Sequence, residues 1–249
     1  RLLHGEVTMN EYFALVSCEI SPCELAALSS EVEVIKLPAD GAVDAPVRAH
    51  PDMILCIIGD TLITHRAYYS AHRDVLERVA SLGGLNVVTS DHPRGKDYPA
   101  DVGFNAAVTS THIICNTKTV APEVLTTAEK QGLSVVHVNQ GYAACSCIVT
   151  DDSVITSDVG IHATLTEHGI PVSLASNRGI SLPGYDVGFL GGAGGYCDGT
   201  LYFYGDIRGM ECERDIRCIA EEYGYGITCL SSSALTDRGG IKFIRYAKR

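Results

Sequence analysis

The sequence is poor in positive charge and in long apolar runs, and it contains no tryptophan. Its 249 residues include 19 Lys and Arg against 30 Asp and Glu, which gives a formal net charge of −11. Binding of nucleic acid or of an anionic membrane surface requires a basic face, so the charge balance argues against both as main partners. The longest apolar stretches, such as Met53 to Ile58, are far shorter than the roughly 20 residues that span a bilayer.

The sequence also lacks the cysteine density of a disulfide scaffold, although it contains ten cysteines. Disulfide frameworks occur mostly in short secreted chains, whereas this chain is long. Cys56, Cys115 and Cys229 lie inside apolar runs, where a free cysteine behaves as a small core residue. The stretch from Arg1 to Gly5 contains no hydrophobic signal core. We therefore expect reduced thiols and a cytoplasmic protein.

One pattern recurs five times: a strand, a turn, a second strand with a polar end, a helix, and a third strand. The polar end residues have nearly constant spacing; they are Glu19, Arg66, Asn116, Asp158 and Asp206. Helices are predicted after them at 22–30, 69–81, 122–131, 161–168 and 213–223. Proline favours a first turn, as at Pro22 and Pro122, and glycine favours the residue after a helix. β-Branched third strands are predicted at 32–35, 85–88, 133–136, 170–172 and 227–230.

The first strands determine how the units are closed. They are predicted at 53–58, 102–108, 147–150, 187–190 and 241–246, and the N-terminal unit has none before it. If 241–246 pairs with the N-terminal unit, five ββαβ units close into one ring without exposed strand edges. The alternative is a doubly wound α/β sheet with antiparallel hairpins, but such a sheet would not leave an incomplete unit at each end of the chain. The sequence predicts a single α/β domain, 1–249.

This organisation resembles the pentein fold, the five-fold pseudo-symmetric α/β propeller of the guanidino-group-modifying enzymes. Phe104-Asn105-Ala106, Gln140-Gly141-Tyr142 and the stretch 235–241 are similar to a bacterial branch of that superfamily. Its members include arginine and agmatine deiminases, dimethylarginine hydrolases, amidinotransferases and a non-catalytic ribosome-binding translation factor. The resemblance implies a small-molecule site around the central axis and no cofactor.

An acidic residue precedes or begins four of the predicted first strands. These residues are Asp52, Asp101, Asp186 and Asp237. Equivalent carboxylates around an axis would suit a cationic guanidinium, which binds planar acceptors in pairs. Each aspartate could instead cap the turn that enters its strand. We expect at least one of them to bind a cationic ligand. Asn105, Arg238 and Lys242 are the other ligand-binding candidates.

The resemblance also implies catalytic residues that are missing here. The enzymes of the superfamily use a cysteine nucleophile and a histidine; in the deiminases, glycines, an apolar residue, His and Cys follow one another in the last unit. Here Gly239, Gly240 and Ile241 are followed by Lys242 and Phe243. A phenyl ring cannot attack an amidine carbon. The stretch 141–147, where the catalytic histidine is expected, contains no histidine, so a standard deiminase mechanism is not expected.

Cys145 and Cys147 are the candidate catalytic residues in that stretch. They alternate on a predicted strand and would face the same side of the sheet. One of them could act as a thiolate nucleophile if Lys242 or Arg238 lowered its pKa. Alternatively, both thiols pack in the interior between sheet and helices.

The remaining motifs are weaker. The glycine-rich stretch 191–195 resembles a phosphate-binding loop, but a strand follows instead of a helix, which favours a hairpin loop or a lid. The spacing of Cys and His predicts no metal site. Three functional hypotheses follow: a ligand-binding pentein without deiminase chemistry, a cysteine-dependent hydrolase or amidinotransferase-like enzyme, and a protein-interaction module. The oligomeric state is not determined.

Overall fold

The computed structural model describes residues 11–248 and contains five three-stranded sheets. In each sheet the first and second strands pair antiparallel, and the second and third strands pair parallel. A helix connects the second strand to the third, which is the predicted ββαβ order. The expectation about Arg1 to Gly5 lies outside the described residues.

The elements of the first three units lie in chain order. The first unit consists of β1 (Tyr12–Ser17), α1 (Pro22–Ser29) and β2 (Glu33–Leu37). The second consists of α2 (Pro51–Ile54), β3 (Leu55–Ile58), β4 (Thr61–His65), α3 (Arg66–Ala71), α4 (Arg73–Gly83) and β5 (Asn86–Ser90). The third consists of β6 (Ala107–Val108), β7 (His112–Cys115), α5 (Pro122–Lys130) and β8 (Ser134–His137).

The last two units have the same order. The fourth consists of α6 (Ala143–Ser146), β9 (Cys147–Val149), β10 (Val154–Thr156), α7 (Val159–Glu167) and β11 (Val172–Leu174). The fifth consists of a 3-10 turn (Gly191–Ala193), β12 (Gly194–Cys197), β13 (Thr200–Phe203), α8 (Glu213–Tyr223) and β14 (Gly226–Cys229). The last strand, β15 (Lys242–Arg245), belongs to the sheet of the first unit.

Local chemistry explains where the helices begin and end. Ser21 and Glu24 form a capping box at the start of α1. The side chain of Asp158 accepts hydrogen bonds from the second and third residues of α7, which therefore starts two residues before the predicted position. Gly84 and Gly224 adopt the left-handed conformation that ends α4 and α8.

The predicted first strands are partly wrong, because a turn precedes each strand. Residues 53 and 54 belong to α2, only Ala107–Val108 pairs within 102–108, and 187–190 is not a strand. In the fifth unit the glycine-rich stretch forms a 3-10 turn and the start of β12 instead of a loop. A Cβ at Gly194 would lie 2.2 Å from the Tyr202 carbonyl oxygen, so neighbouring backbone leaves room only for glycine.

The C-terminal strand pairs with the N-terminal unit, as the sequence predicts. Tyr12 lies opposite Arg245, and Leu15 lies opposite Lys242, in antiparallel register. Five clusters of buried apolar side chains each join two neighbouring units, and one of these five joins the fifth unit to the first. The clusters contain Leu15 with Leu62, Ile63 with Ile113, Ile114 with Val154, Ile155 with Leu201, and Val16 with Tyr202.

Two further features bear on the class of protein. All ten cysteines are free thiols, and six of them are buried. No helix in the described part of the chain has the length and apolar character needed to cross a bilayer.

Candidate functional site

Buried polar side chains from four different units converge in the turns that precede the first strands. The group, called here the buried polar cluster, consists of His50, Asp52, Asn105, Cys145 and Asp237. Each of these residues is at most 5% exposed. They lie at or next to α2, in the turn before β6, in α6 and in the turn before β15. Equivalent turns of successive units therefore bring together residues that are far apart in sequence.

The side-chain amide of Asn105 connects the turns of three units. Its Nδ2 donates to the main-chain oxygen of Asp52 at 3.1 Å and lies 3.0 Å from Sγ of Cys145. Its Oδ1 accepts hydrogen bonds from the main-chain nitrogens of Ala144 and Cys145 at 2.7 and 3.3 Å. Because both ends of the amide are engaged, Asn105 holds α2 against α6.

The carboxylate of Asp237 accepts two main-chain hydrogen bonds and lies close to a histidine. The nitrogens of Phe189 and Gly239 donate to it at 2.8 and 3.0 Å, and Nδ1 of His50 lies 3.6 Å from its Oδ1. Burial is the main reason that the pKa of Asp237 is raised to about 6. The nearby His50 lowers this pKa, and the negative charge of Asp52 raises it.

Glycine backbone packs directly on the carboxylate of Asp237. A Cβ at Gly192 would lie 1.9 Å from Oδ1 of Asp237, and a Cβ at Gly188 would lie 2.7 Å from its Cβ. The main-chain nitrogens of Arg238 and Gly240 both donate to the Gly192 oxygen at 2.9 Å. The 3-10 turn and the turn before β15 are thus held together without room for a side chain between them.

The carboxylate of Asp52 is buried without a hydrogen-bond donor. Asp52 is 1% exposed, and neither of its oxygens accepts an N–H or O–H hydrogen bond from a described residue. Its charge raises the pKa of both Cys145 and Asp237, so its neighbours include further acidic groups. An ionised carboxylate without donors costs several kcal/mol to bury. The cluster therefore has an excess of acceptors and a deficit of donors.

The structure does not support the predicted strand position of Cys145. The chain forms the helical turn α6 before β9 begins, so Cys145 and Cys147 do not alternate along one strand. Burial raises the pKa of the Cys145 thiol well above its ordinary value. The charges of Asp52 and Asp237 and a weak S–H contact with Asp52 raise it further. Cys145 is therefore a protonated thiol at neutral pH. A thiolate is stabilised by a neighbouring cation, whereas the charged neighbours of Cys145 are carboxylates.

Cys147 and Lys242 lie at another place in the fold. Cys147 begins β9, packs in the core between the third and fourth units, and has a pKa raised to about 12, mainly by burial. Lys242 begins β15. Both line a cleft of about 670 Å³ formed by the first strands, which we call the first-strand cleft. None of the five members of the buried polar cluster lines it.

The other predicted ligand-binding residues are engaged elsewhere. Nε of Arg238 lies 2.8 Å from a carboxylate oxygen of the buried Glu24. Asp101 accepts a hydrogen bond from the Tyr142 hydroxyl at 2.7 Å, and burial raises the pKa of this aspartate. The second carboxylate oxygen of Asp101 has no partner among the described residues. Asp186 is exposed and lies outside the buried polar cluster, whereas Asp52 and Asp237 belong to it.

Apolar and aromatic side chains pack against Cys145. The Tyr142 ring stacks on Phe189 with a centroid distance of 5.6 Å and contacts the ring of Tyr98 at 6.1 Å. A crevice next to Met53 and Asp101 measures about 10 Å³, which is enough for about one water molecule. A ligand therefore reaches the cluster only if these rings and their loops move.

His50 and Tyr142 are site residues to which the sequence patterns gave no role. His50 could have been noticed because it lies two residues before Asp52, in the turn that enters a first strand. Its contact with Asp237 crosses 187 positions, which no local pattern reveals. Across residues 11–248, no three His, Cys, Asp or Glu side chains form a group that could hold a metal ion.

Two sequence comparisons bear on this site. A family model described as a family of unknown function (DUF6873) matches residues 15–242. No curated protein sequence matches the chain.

Solved structures share the fold at low sequence identity. A complex of DDAH from Pseudomonas aeruginosa with citrulline has a TM-score of 0.56 at 10% identity, covering 90% of this chain and 92% of that one. An amidinotransferase of the saxitoxin biosynthetic pathway from Microseira wollei has a TM-score of 0.57 at 12% identity, covering 96% and 97%. Inosamine-phosphate amidinotransferase from Streptomyces griseus has a TM-score of 0.51 at 14% identity, covering 90% and 79%. These neighbours confirm the predicted pentein fold, and at such identities they show the fold alone.

Proposed function

The chain belongs to the DUF6873 family and has the pentein fold, and on this premise we propose that it binds a small guanidinium- or amine-bearing ligand at the buried polar cluster. The observation that carries the proposal is the Asp52 carboxylate, which is 1% exposed and accepts no N–H or O–H hydrogen bond from a described residue. Asp237 provides a second buried carboxylate whose pKa responds to the charge of Asp52.

A cationic ligand would supply what the cluster lacks. Two buried carboxylates repel each other and have lost their hydration, so a cation between them relieves both costs. A guanidinium presents five N–H donors in a plane, a geometry that matches carboxylate acceptors. The structural neighbours include a DDAH bound to citrulline and two amidinotransferases, so this fold accommodates ligands of related chemistry.

In this proposal the five units form one closed ring around a common axis. The ligand binds at one end of that axis. Two observations support closure: β15 pairs with β1, and a core cluster joins the fifth unit to the first. The first strands of all five units also line one cleft, as an arrangement around a common axis requires. The turns that carry the buried polar cluster would then surround the opposite end of that axis.

Binding without deiminase chemistry is the favoured form of this function. Lys242 and Phe243 stand where the resemblance implies histidine and cysteine. Cys145 is a protonated thiol between carboxylates, which is the opposite of the environment that activates a nucleophile.

A cysteine-dependent enzyme is the second candidate, because Cys145 belongs to the same cluster. A guanidinium bound at Asp52 would bring an amidine carbon near Sγ, and its charge would oppose the effect of the carboxylates on the thiol pKa. Sγ would attack that carbon while Asp52 accepts the thiol proton, an amine would leave with that proton, and water would cleave the carbon–sulfur bond, which releases a ureido product and restores the thiol. Release of citrulline from arginine, lost in Cys145→Ala, would establish this candidate against pure binding.

Thermal unfolding with arginine and citrulline tests the binding proposal. The two compounds differ only in one group: arginine carries a guanidinium where citrulline carries a neutral ureido group. Arginine at about 100 times its Kd should raise the Tm of a chain of this size by roughly 5–10 °C. Citrulline should have a much smaller effect.

Variants identify the site of that effect. Asp52→Asn should abolish the arginine-dependent rise in Tm, and Asp237→Asn should reduce it. Asp186→Asn is the matched control, since Asp186 also precedes a predicted first strand but is exposed. An equal rise in Asp52→Asn and in the unaltered protein would exclude ligand binding at this cluster.

A further inference from the structure

The first-strand cleft is a second concave site, separate from the buried polar cluster. It has a volume of about 670 Å³, and residues of β3, β6, β9, β12 and β15 line it. The hairpin turns that follow β3, β9 and β12 contribute Asp60, Asp151 and Asp198. These hairpin turns follow the first strands, whereas the turns that carry Asp52 and Asp237 precede them. The volume is in the range of small-molecule sites in proteins, roughly 300–1,000 Å³.

Lys242 is the unusual residue of this cleft. It is half-buried, whereas the other lysines of residues 11–248 are exposed. Within the described chain, no carboxylate oxygen lies within 4 Å of its Nζ, and its side chain makes no hydrogen bond. A partly buried ammonium without a counter-charge is costly, and a bound anion would compensate it.

The neighbouring thiols do not provide the missing negative charge. Lys242 lowers the pKa of Cys56 and of Cys147, so its charge acts on both. Burial outweighs that effect and raises the pKa of each thiol to about 12. Both side chains are therefore neutral at pH 7. The other cation that lines the cleft, Arg245, forms an ion pair with Glu11.

The mouth of the cleft limits the charge of an anion that can enter. Asp60, Asp151 and Asp198 line it, and Asp151 accepts a hydrogen bond from the Tyr196 hydroxyl at 2.9 Å. Three carboxylates at the mouth of the cleft repel a multiply charged anion more strongly than a singly charged one. Apolar groups of the first strands, such as Leu55 and Ile148, complete the lining.

We propose that the first-strand cleft binds a small monocarboxylate, with its oxyanion on Nζ of Lys242 and its apolar part against the first strands. This site is independent of the proposed cation site, because it uses different residues at the other ends of the same strands. Carboxylate and phosphate share the oxyanion chemistry that Lys242 recognises, and the acidic mouth selects the carboxylate.

Thermal unfolding with butyrate, inorganic phosphate and chloride, at equal ionic strength, tests the proposal. Butyrate should raise the Tm by several degrees relative to chloride when it is well above its Kd. Phosphate should produce a smaller rise. No rise with butyrate, or a larger rise with phosphate, would overturn the proposal.

Variants of two lysines connect the effect to the cleft. Lys242→Met keeps the length of the side chain and removes its charge, so it should abolish the butyrate-dependent rise. Lys36→Met is the matched control on the exposed face of β2 and should retain it. If Lys242→Met does not unfold cooperatively, Lys242→Gln serves instead. A full butyrate response in the Lys242 variant would exclude this site.

Asp52→Asn separates this inference from the proposed function. It should abolish the response to arginine and leave the response to butyrate intact. Loss of both responses would show that one site binds both probes and would overturn the independent anion site.

Discussion

At the scale of single residues, the main feature is a set of acidic groups buried without sufficient compensation. Asp52 accepts no N–H or O–H hydrogen bond in the described chain, and Asp237 combines two main-chain donors with His50. Natural proteins retain such costly groups mainly at functional sites, where a ligand or a reaction uses them. The same groups make clear predictions for stability.

Replacement of Asp52 by asparagine should stabilise the ligand-free protein. The substitution removes a buried negative charge that lacks a donor, and a gain of about 1–3 kcal/mol in the free energy of unfolding is expected at pH 7. Urea unfolding measures the difference. Asp186→Asn, at an exposed position, should change the free energy by less than about 0.5 kcal/mol. Marked destabilisation by Asp52→Asn would mean that the carboxylate makes a stabilising contact.

Asp237 should make stability depend on pH between about 4 and 6. Its pKa is raised from 3.8 to about 6 on folding, so in this interval the folded protein binds a proton that the unfolded chain does not. The free energy of unfolding should therefore fall as pH rises through the interval, by about 3 kcal/mol at most.

Urea unfolding of Asp237→Asn between pH 4 and pH 7 isolates this contribution, because the other titrating groups are common to both proteins. The fall in the free energy of unfolding between these pH values should be smaller in Asp237→Asn than in the unaltered protein. Superimposable pH profiles would show that Asp237 has an ordinary pKa in the folded protein.

At the scale of elements, the turns before the first strands determine the site. In α2, α6 and the 3-10 turn of residues 191–193, the backbone turns once before it becomes extended. This turn moves Asp52 and Cys145 off the strands and into the interior. Glycine is required where one turn crosses the next, as at Gly192 above Asp237.

Gly192→Ala should disrupt the packing of these turns. Its Cβ would lie 1.9 Å from Oδ1 of Asp237, so either the turn or the carboxylate must move. We expect a loss of roughly 2 kcal/mol or more in stability, together with a reduced Tm response to arginine. Gly41→Ala is the control, because a Cβ there meets nothing within 4 Å. Equal stability of the two variants would contradict the described packing of the 3-10 turn on Asp237.

At the scale of the whole molecule, the C-terminal strand connects the last unit to the first. β15 pairs with β1, while Ile241 packs between the fifth and first units and Ile244 between the first and second. Each fully buried apolar side chain contributes roughly 1.5–3 kcal/mol, and total stability is typically about 5–15 kcal/mol. The strand therefore accounts for a large share of the stability.

A chain that ends at Ser233 should be insoluble or lose cooperative melting. The truncation removes β15, leaves an edge of β1 unpaired and deletes Asp237. Calorimetry, or solubility if the protein precipitates, measures the effect. A chain that ends at Ala247 keeps β15 and is the control. Cooperative melting of the Ser233 truncation within a few degrees of the full chain would contradict ring closure.

The repeat of elements was predictable because it depends on local interactions. Capping by Ser21, glycine at helix ends and the apolar alternation of strands act over a few residues, and the five helices and most strands appear where these patterns indicate. The first strands were harder to predict. An apolar run such as 102–108 has the same composition whether it forms a turn or a strand, and packing of the neighbouring units decides between them.

The sequence by itself determined the five-unit order, the pairing of the last strand with the first unit, and the acidic residues that enter the first strands. Only the tertiary structure decided that Asp52 and Asp237 are buried near Cys145 while Asp186 is exposed. It also brought His50 to Asp237 and placed Lys242 in a separate cleft. The reason is physical: hydrogen bonding and side-chain periodicity within an element are local, whereas burial and charge at a site depend on units that are distant in the chain.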